Sequence, residues 1–167
     1  HLLNHTSGLE SFNEEEVSSA DELITFLKKQ DKVLFEPGSQ SKYSNSEYAL
    51  LAKIIEVKSG MAYTDFLRKN IFKKLKMNNT FFAHELSESA DVAVGHFKNE
   101  DKLYEPELVQ NNFYGEQGIF TNTEDFGKWD AALYTNKLLK CENLEKIFTV
   151  TPLSYEKKIN YYGAGWV

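Results

Sequence analysis

The stretch from Asn45 to Lys58 constrains the fold most. Its apolar residues recur at helical spacing, with Tyr48, Leu51 and Ile55 along one face and Leu50, Ile54 and Val57 beside it, and Ser59-Gly60 supplies a C-cap. A helix of this length is marginal on its own and draws its stability from packing. The rest of the chain must therefore provide a core. It has the means, since 41% of its 167 residues are hydrophobic and 14% are aromatic. The length fits one domain spanning residues 1–167.

Other elements gather around that helix. Ser19-x-x-Glu22 forms a capping box ahead of Leu23, Ile24, Phe26 and Leu27, which predicts a helix to about Gln30. Pro37-Gly38 marks a turn. A third helix is expected after Thr64 as N-cap, carrying Phe66, Leu67 and Ile71 and fraying into Lys73–Lys76. Val92, Val94 and His96 alternate with Ala93, Gly95 and Phe97 before the polar turn Asn99-Glu100-Asp101, which predicts a short hairpin within 92–105. Residues 109–121 read as loop. A helix starting at Asn122 or Thr123 carries Asp125 in its first turn and is expected to bury Phe126, Trp129 and Leu133. Leu144, Ile147 and Phe148 make a shorter one before Pro152, and residues 161–167 read as extended. The class is an α-rich α+β fold.

Composition removes several functions. Nineteen Lys and Arg against 25 Asp and Glu give a net charge of −6 with the signs mixed, not the basic stripe of a nucleic-acid binder. No apolar run approaches the ~18 residues of a membrane span. A single cysteine, Cys141, excludes an internal disulfide framework and a cysteine metal site, and leaves the compartment open. His1, His5, His84 and His96 lack ligand spacing, and Glu14-Glu15-Glu16 reads as a solvated loop, so neither a metal nor any other cofactor is expected.

Nucleophile motifs are present but poorly placed. Ser-x-x-Lys occurs at Ser39–Lys42, just after Pro37-Gly38, and at Ser154–Lys157 in a polar stretch, whereas the chemistry needs the lysine one helical turn from the serine and desolvated. Tyr43-Ser44-Asn45 is a different matter. A phenol with a pKa near ~10 serves as a base only if cations stabilise its anion, and an asparagine two residues on offers an amide to a substrate carbonyl. The pattern alone is weak, because Tyr134-Thr135-Asn136 repeats it at a helix end. The competing structural reading makes Tyr43 a core residue and Ser44-x-x-Glu47 a capping box.

The surrounding blocks decide between them. Leu2–Leu9 (LLNHTSGL) resembles the L-L-x-H-T-S-G-L segment of the serine β-lactamase and penicillin-binding-protein family, class C branch. Phe35-Glu36-Pro37-Gly38, Tyr43-Ser44-Asn45, Tyr48–Glu56 and Ser59-Gly60 are similar to its F-x-P-G, Y-S-N and L-L-x-x-I-E-x-x-S-G stretches. Asn70–Thr80 resembles I-F-x-P-L-G-M-x-x-T, departing at Lys74 and Lys76, where Pro and Gly are usual. Gly118–Leu139 and Tyr162–Trp166 resemble the G-x-x-S-T-x-x-D-x-x-K-W and Y-G-x-G-W blocks. The blocks keep family order along nearly the whole chain.

The resemblance implies the helical domain of the β-lactamase/transpeptidase-like fold and an acyl-transfer chemistry. A serine in a Ser-x-x-Lys helix would be acylated by a β-lactam, a D-Ala-D-Ala peptide or an ester. Tyr43 matches the tyrosine that assists proton transfer, and Asn45 the asparagine that binds the substrate amide and the catalytic lysine. Gly118 and Thr121 would border the substrate cleft, and His5, Thr6 and Ser7 would pack behind it. The family's nucleophilic serine and its third motif match no position here. The chain thus reads as the interior of a longer protein, inactive by itself and partnered by the remainder of its own α/β domain. The implied substrate is a small molecule or a peptidoglycan peptide, and the implied location extracytoplasmic. A non-catalytic recognition or scaffold domain of the same family is the alternative; an unrelated helical interaction module is a third reading.

Overall fold

A computed structural model describes residues 1–13, 17–86, 91–100, 102–106, 114–150, 152–155, 158–160 and 162–166. After a 3-10 turn at Leu2–Asn4 come helices α1 (Ala20–Lys28) and α2 (Asn45–Ser59), then α3 (Tyr63–Leu67), which runs through a π segment (Arg68–Phe72) into α4 (Lys73–Leu75). Strand β1 (Phe81–Phe82), the hairpin β2 (His96–Lys98) and β3 (Tyr104–Pro106), and β4 (Ile119–Phe120) precede α5 (Thr123–Ala132), α6 (Cys141–Phe148) and a second hairpin, β5 (Leu153–Tyr155) and β6 (Lys158–Asn160). The described strands form two-stranded antiparallel pairs, β1 with β4, β2 with β3 and β5 with β6. The chain is α-rich with little sheet.

Local chemistry accounts for the helix ends. The Ser19 hydroxyl accepts the Glu22 N–H at 3.2 Å and starts α1, while the Glu22 carboxylate reaches back to the Ser18 N–H at 2.8 Å, one residue beyond the capping-box position. Gly60 ends α2 at φ 67°. The third helix begins at Tyr63 with Ala62 ahead of it, so Thr64 is not its cap. Nor does it fray. Leu67, Phe72 and Leu75 are all buried, and the wider π turn brings Phe72, five residues after Leu67, back onto the inward side. Core packing overrides the lysine run. Lys76 then terminates α4 in the left-handed region at φ 58°, the position where the resembling block has glycine.

Two apolar cores result. One gathers Leu67, Phe72, Leu75, Met77, Phe82 and Ala132; the other gathers Phe12, Val17, Leu23 and Ala49 beneath α1 and α2. The buried stripe of α2 is Ser46, Glu47, Ala49 and Ala52, while Ile54 and Val57 are exposed. The apolar face read from the sequence is therefore not the face turned inward. Small residues win because the 114–118 loop approaches too closely for larger ones: a Cβ on Gly115 (φ 128°) would stand 2.5 Å from the Tyr48 carbonyl and 2.8 Å from the Ala52 Cβ.

Three further expectations are corrected. Residues 119–120, read as loop, form β4, with Phe120 stacked on Phe81 at 5.6 Å; residues 107–113 lie outside the described ones. In α5 the Asn122 side chain accepts the Asp125 N–H and turns Asp125 and Ala132 inward, leaving Trp129 and Leu133 half-buried and Phe126 exposed. The C-terminal segment is a tight turn rather than an extended strand: Gly163 and Trp166 exchange hydrogen bonds of 2.9 and 2.8 Å around Ala164 (φ 36°) and Gly165 (φ 100°). Residues 161 and 167 lie outside the description. The first hairpin falls within 92–105 but for Pro106, its residues pairing His96 with Pro106 and Lys98 with Tyr104.

Candidate functional site

Tyr43, Ser44 and Asn45 stand at the entrance of α2, and a second segment fixes the approach to it. Residues 34–42 run beside 1–8 through hydrogen bonds from Leu34 N–H to the Gly8 carbonyl (2.8 Å), Gly38 N–H to Thr6 (2.8 Å) and Lys42 N–H to His5 (2.9 Å). Gly8 has to be glycine, since at φ 76° its Cβ would lie 2.4 Å from the Phe35 carbonyl oxygen. His5, in the left-handed region at φ 54°, turns its ring under Tyr43.

Beneath the tyrosine is a buried polar cluster. Glu47 is 1% exposed, His5 1%, Ser44 1% and Ser46 0%. One Glu47 oxygen pairs with His5 Nδ1; the other accepts the Ser7 hydroxyl and the Ser7 N–H, the latter at 3.1 Å. The Ser44 N–H lies 3.3 Å from the same Nδ1. We assign the Nδ1 proton to the Glu47 contact, because a carboxylate is the stronger acceptor. The carboxylate, not the imidazole, is central, and Ser7 is buried with its proton turned to Glu47. This is not a serine–histidine nucleophile. His5 Nε2 and Ser44 Oγ are buried with no hydrogen-bond partner among the described residues.

Glu47 is thus the residue that sequence reasoning missed. Its position three after Ser44 reads as a capping box, but no Ser44 side-chain cap forms and the carboxylate points to residues some 40 positions upstream. The structural alternative for Tyr43 fails too, for Tyr43 is 61% exposed.

Aromatic rings frame the cluster. The His5 ring centroid lies 4.5 Å from Tyr43, 4.5 Å from Tyr162 and 5.2 Å from Tyr48, and the Tyr48 hydroxyl donates to the Leu3 carbonyl at 3.0 Å. Burial, then Tyr162, then Glu116 push the Tyr43 phenol above its ordinary range. No cation is among those influences, so this phenol is protonated at neutral pH. Burial and the Tyr162 hydroxyl raise Tyr48 further. Asn45 donates its backbone N–H to the Ser11 hydroxyl at 3.1 Å, and its half-exposed amide makes no hydrogen bond among the described residues.

The remaining candidates sit elsewhere. Gly118 (φ 100°) accepts the Ala83 N–H at 2.9 Å, and the exposed Thr121 meets the Thr80 hydroxyl at 2.8 Å. The Thr80–Thr121 bond belongs to a second cluster, where the fully buried Asp125 accepts the Asn79 N–H (2.7 Å), the Thr80 hydroxyl (3.1 Å) and Lys128 Nζ (2.7 Å). Ser39 lies in the turn after Pro37, its hydroxyl bonded to the Glu36 carbonyl at 2.6 Å, and Ser154 lies on β5, so neither Ser-x-x-Lys copy starts on a helix. A groove of about 230 Å³ lined by Ala49, Ala52, Lys53, Glu56, Tyr63 and Tyr114, with Ser19 and Ala20, includes none of Tyr43, Asn45, Gly118 or Thr121. Among the described residues no group of His, Cys, Asp and Glu could hold a metal ion, and no helix is long and apolar enough to cross a membrane.

Comparison with known proteins bears on this arrangement. The β-lactamase family model matches residues 1–166. A penicillin-binding protein of Bacillus subtilis is 32% identical over the whole of this chain, which covers 42% of that protein. The octameric penicillin-binding protein homologue from Pyrococcus abyssi superposes with a TM-score of 0.85 at 28% identity, over 99% of this chain and 42% of its own. A D-amino acid amidase from Ochrobactrum anthropi, in complex with L-phenylalanine amide, superposes at 0.73 with 26% identity, over 98% of this chain and 51% of its own. The chain therefore spans about half or less of these relatives.

Proposed function

The chain belongs to the β-lactamase family, and from that premise we propose that it is the helical part of a serine hydrolase that works through an acyl-enzyme. The observation that carries the proposal is the setting of Tyr43: an exposed phenol, standing on a rigid buried polar base, two residues before an asparagine with an uncommitted amide. Exposed tyrosines on a packed surface need no such base.

The chemistry follows from the phenol's state. With its pKa raised, Tyr43 can donate a proton but cannot take one at neutral pH. Bringing even an ordinary phenol from ~10 to ~7 requires about 4 kcal/mol of anion stabilisation, and this one more, which a lysine ammonium at the phenol oxygen would supply. We place that lysine and the nucleophilic serine in sequence beyond these 167 residues, since neither internal Ser-x-x-Lys starts on a helix. With the lysine present, Tyr43 would shuttle the proton between nucleophile and leaving group, and Asn45 would hold the substrate carbonyl. Gly118 and Thr121 are proposed as cleft-bordering positions. The substrate class is a β-lactam, a D-Ala-D-Ala peptide or an ester, met outside the cytoplasm.

Intact-mass spectrometry after incubation with a penicillin or a fluorophosphonate tests this. An adduct on the full-length protein but not on residues 1–167 is expected. An adduct on the 167-residue chain would return the nucleophile to Ser39 or Ser154. Absence of adducts on both would transfer the weight to a non-catalytic recognition domain.

A further inference from the structure

We propose that His5, fixed by Glu47, is the positioning residue for Tyr43; the inference rests on the reading of Tyr43 as a proton-transfer group. A tyrosine that is 61% exposed ordinarily samples several side-chain rotamers. A reacting group has to be held far more tightly, because a misplacement of about 1 Å costs on the order of 100-fold in rate. Something must hold this ring. Among the described residues its hydroxyl has no hydrogen-bond partner, and its ring contacts are His5 at 4.5 Å and Tyr162 at 6.4 Å. The His5 imidazole is the nearer support.

The imidazole is itself immobile. It is 1% exposed, its Nδ1 is bound to Glu47, and the second oxygen of that carboxylate is fully used by the two Ser7 donors. Glu47 rises from the first turn of α2, two residues after Asn45, so one helical turn carries both the outward amide and the inward clamp. Rigidity thus passes from α2 through Glu47 and His5 to the Tyr43 ring.

Packing alone would not select this arrangement. Apolar residues of similar volume are commonly as stable as a buried charged or polar pair, or more so. Two of the cluster's polar atoms, His5 Nε2 and Ser44 Oγ, are buried without a hydrogen-bond partner among the described residues, both in groups that touch or adjoin Tyr43.

The test uses His5→Asn, whose amide N–H stands where Nδ1–H stood. Glu47 keeps a donor while the ring beneath Tyr43 is lost. In the full-length enzyme, with a chromogenic cephalosporin and p-nitrophenyl acetate as probes, Tyr43→Phe and His5→Asn are both expected to lower kcat by about 10-fold or more, with KM within about twofold. A His5→Asn enzyme with unchanged kcat beside an impaired Tyr43→Phe overturns the positioning role and leaves the function standing. An unimpaired Tyr43→Phe overturns the role of Tyr43 itself. A readout free of activity and of any substitution comes from NMR of the unaltered full-length protein. An NOE between the His5 and Tyr43 rings and a single Tyr43 χ1 rotamer from scalar couplings are expected; rotamer averaging overturns the inference whatever the variants do.

Discussion

Two carboxylates are buried among the described residues to the same degree, Glu47 at 1% and Asp125 at 0% exposure, and they are handled differently. Asp125 sits in the first turn of α5, where the helix N-terminus favours negative charge, and takes protons from Asn79, Thr80 and Lys128. Desolvation works against its charge, but those donors outweigh it and hold the carboxyl below its ordinary range. Among the described residues none of these partners leaves a buried polar atom unsatisfied. Glu47 also bonds through both oxygens, yet its cluster leaves His5 Nε2 and Ser44 Oγ without a partner among the described residues. A closed network joins elements of the fold, here α5 to the turn before β1. An open one presents structure to something else, here the exposed ring of Tyr43.

The contrast is broken most severely by removing Glu47. Glu47→Ala leaves both Ser7 donors buried without their acceptor and His5 Nδ1 with the Ser44 N–H alone, so a loss of about 3–5 kcal/mol is expected in urea unfolding; a loss under 1 kcal/mol would show the cluster to be a dispensable filler. Asp125→Ala removes three hydrogen bonds and is expected to cost about 2–3 kcal/mol. Asp125 also carries a pH signature. A carboxyl with a lowered folded-state pKa contributes stability above its ordinary pKa of about 3.9, and that stability is lost as pH falls through the folded value. Asp125→Asn should therefore flatten the acid limb of the stability curve below about pH 4; an unaltered limb would remove Asp125 as its source.

How these two clusters show in the sequence differs as much as their networks do. The start of α5 was legible to within a residue, because Asn122 and Thr123 ahead of Asp125 have a local meaning at a helix start. So were α1, α2 and the hairpin, each set by neighbours a few residues apart. Tyr43 and Asn45 were reached through a resemblance in blocks, and the structure puts them together at the α2 entrance. Glu47 was not legible, because its partners are His5 and Ser7, and contacts some 40 residues apart leave no periodic trace. The same holds for β1 and β4, two-residue strands too short for alternation to register. Residues 119–120, the buried stripe of α2 and the exposed Phe126 failed for one reason, the dominance of tertiary contacts over local pattern.

The two smallest effects sharpen the comparison from outside the clusters. Lys76 ends α4 at φ 58°, where a side chain costs about 1–2 kcal/mol and glycine costs nothing sterically. Glycine's greater unfolded entropy takes back part of that gain, so Lys76→Gly is expected to stabilise the chain by about 0.5–1 kcal/mol in the same urea assay. Tyr43→Phe should do nothing there. Its hydroxyl has no hydrogen-bond partner among the described residues, and the ring remains over His5, so unfolding free energy should stay within about 0.5 kcal/mol of the unaltered chain. A loss above 1 kcal/mol would mean that the hydroxyl is structural. The open cluster would then be holding itself together through Tyr43 rather than presenting it, and the distinction from Asp125 would collapse. Neutrality in stability combined with loss of turnover is the result that only a presented group gives.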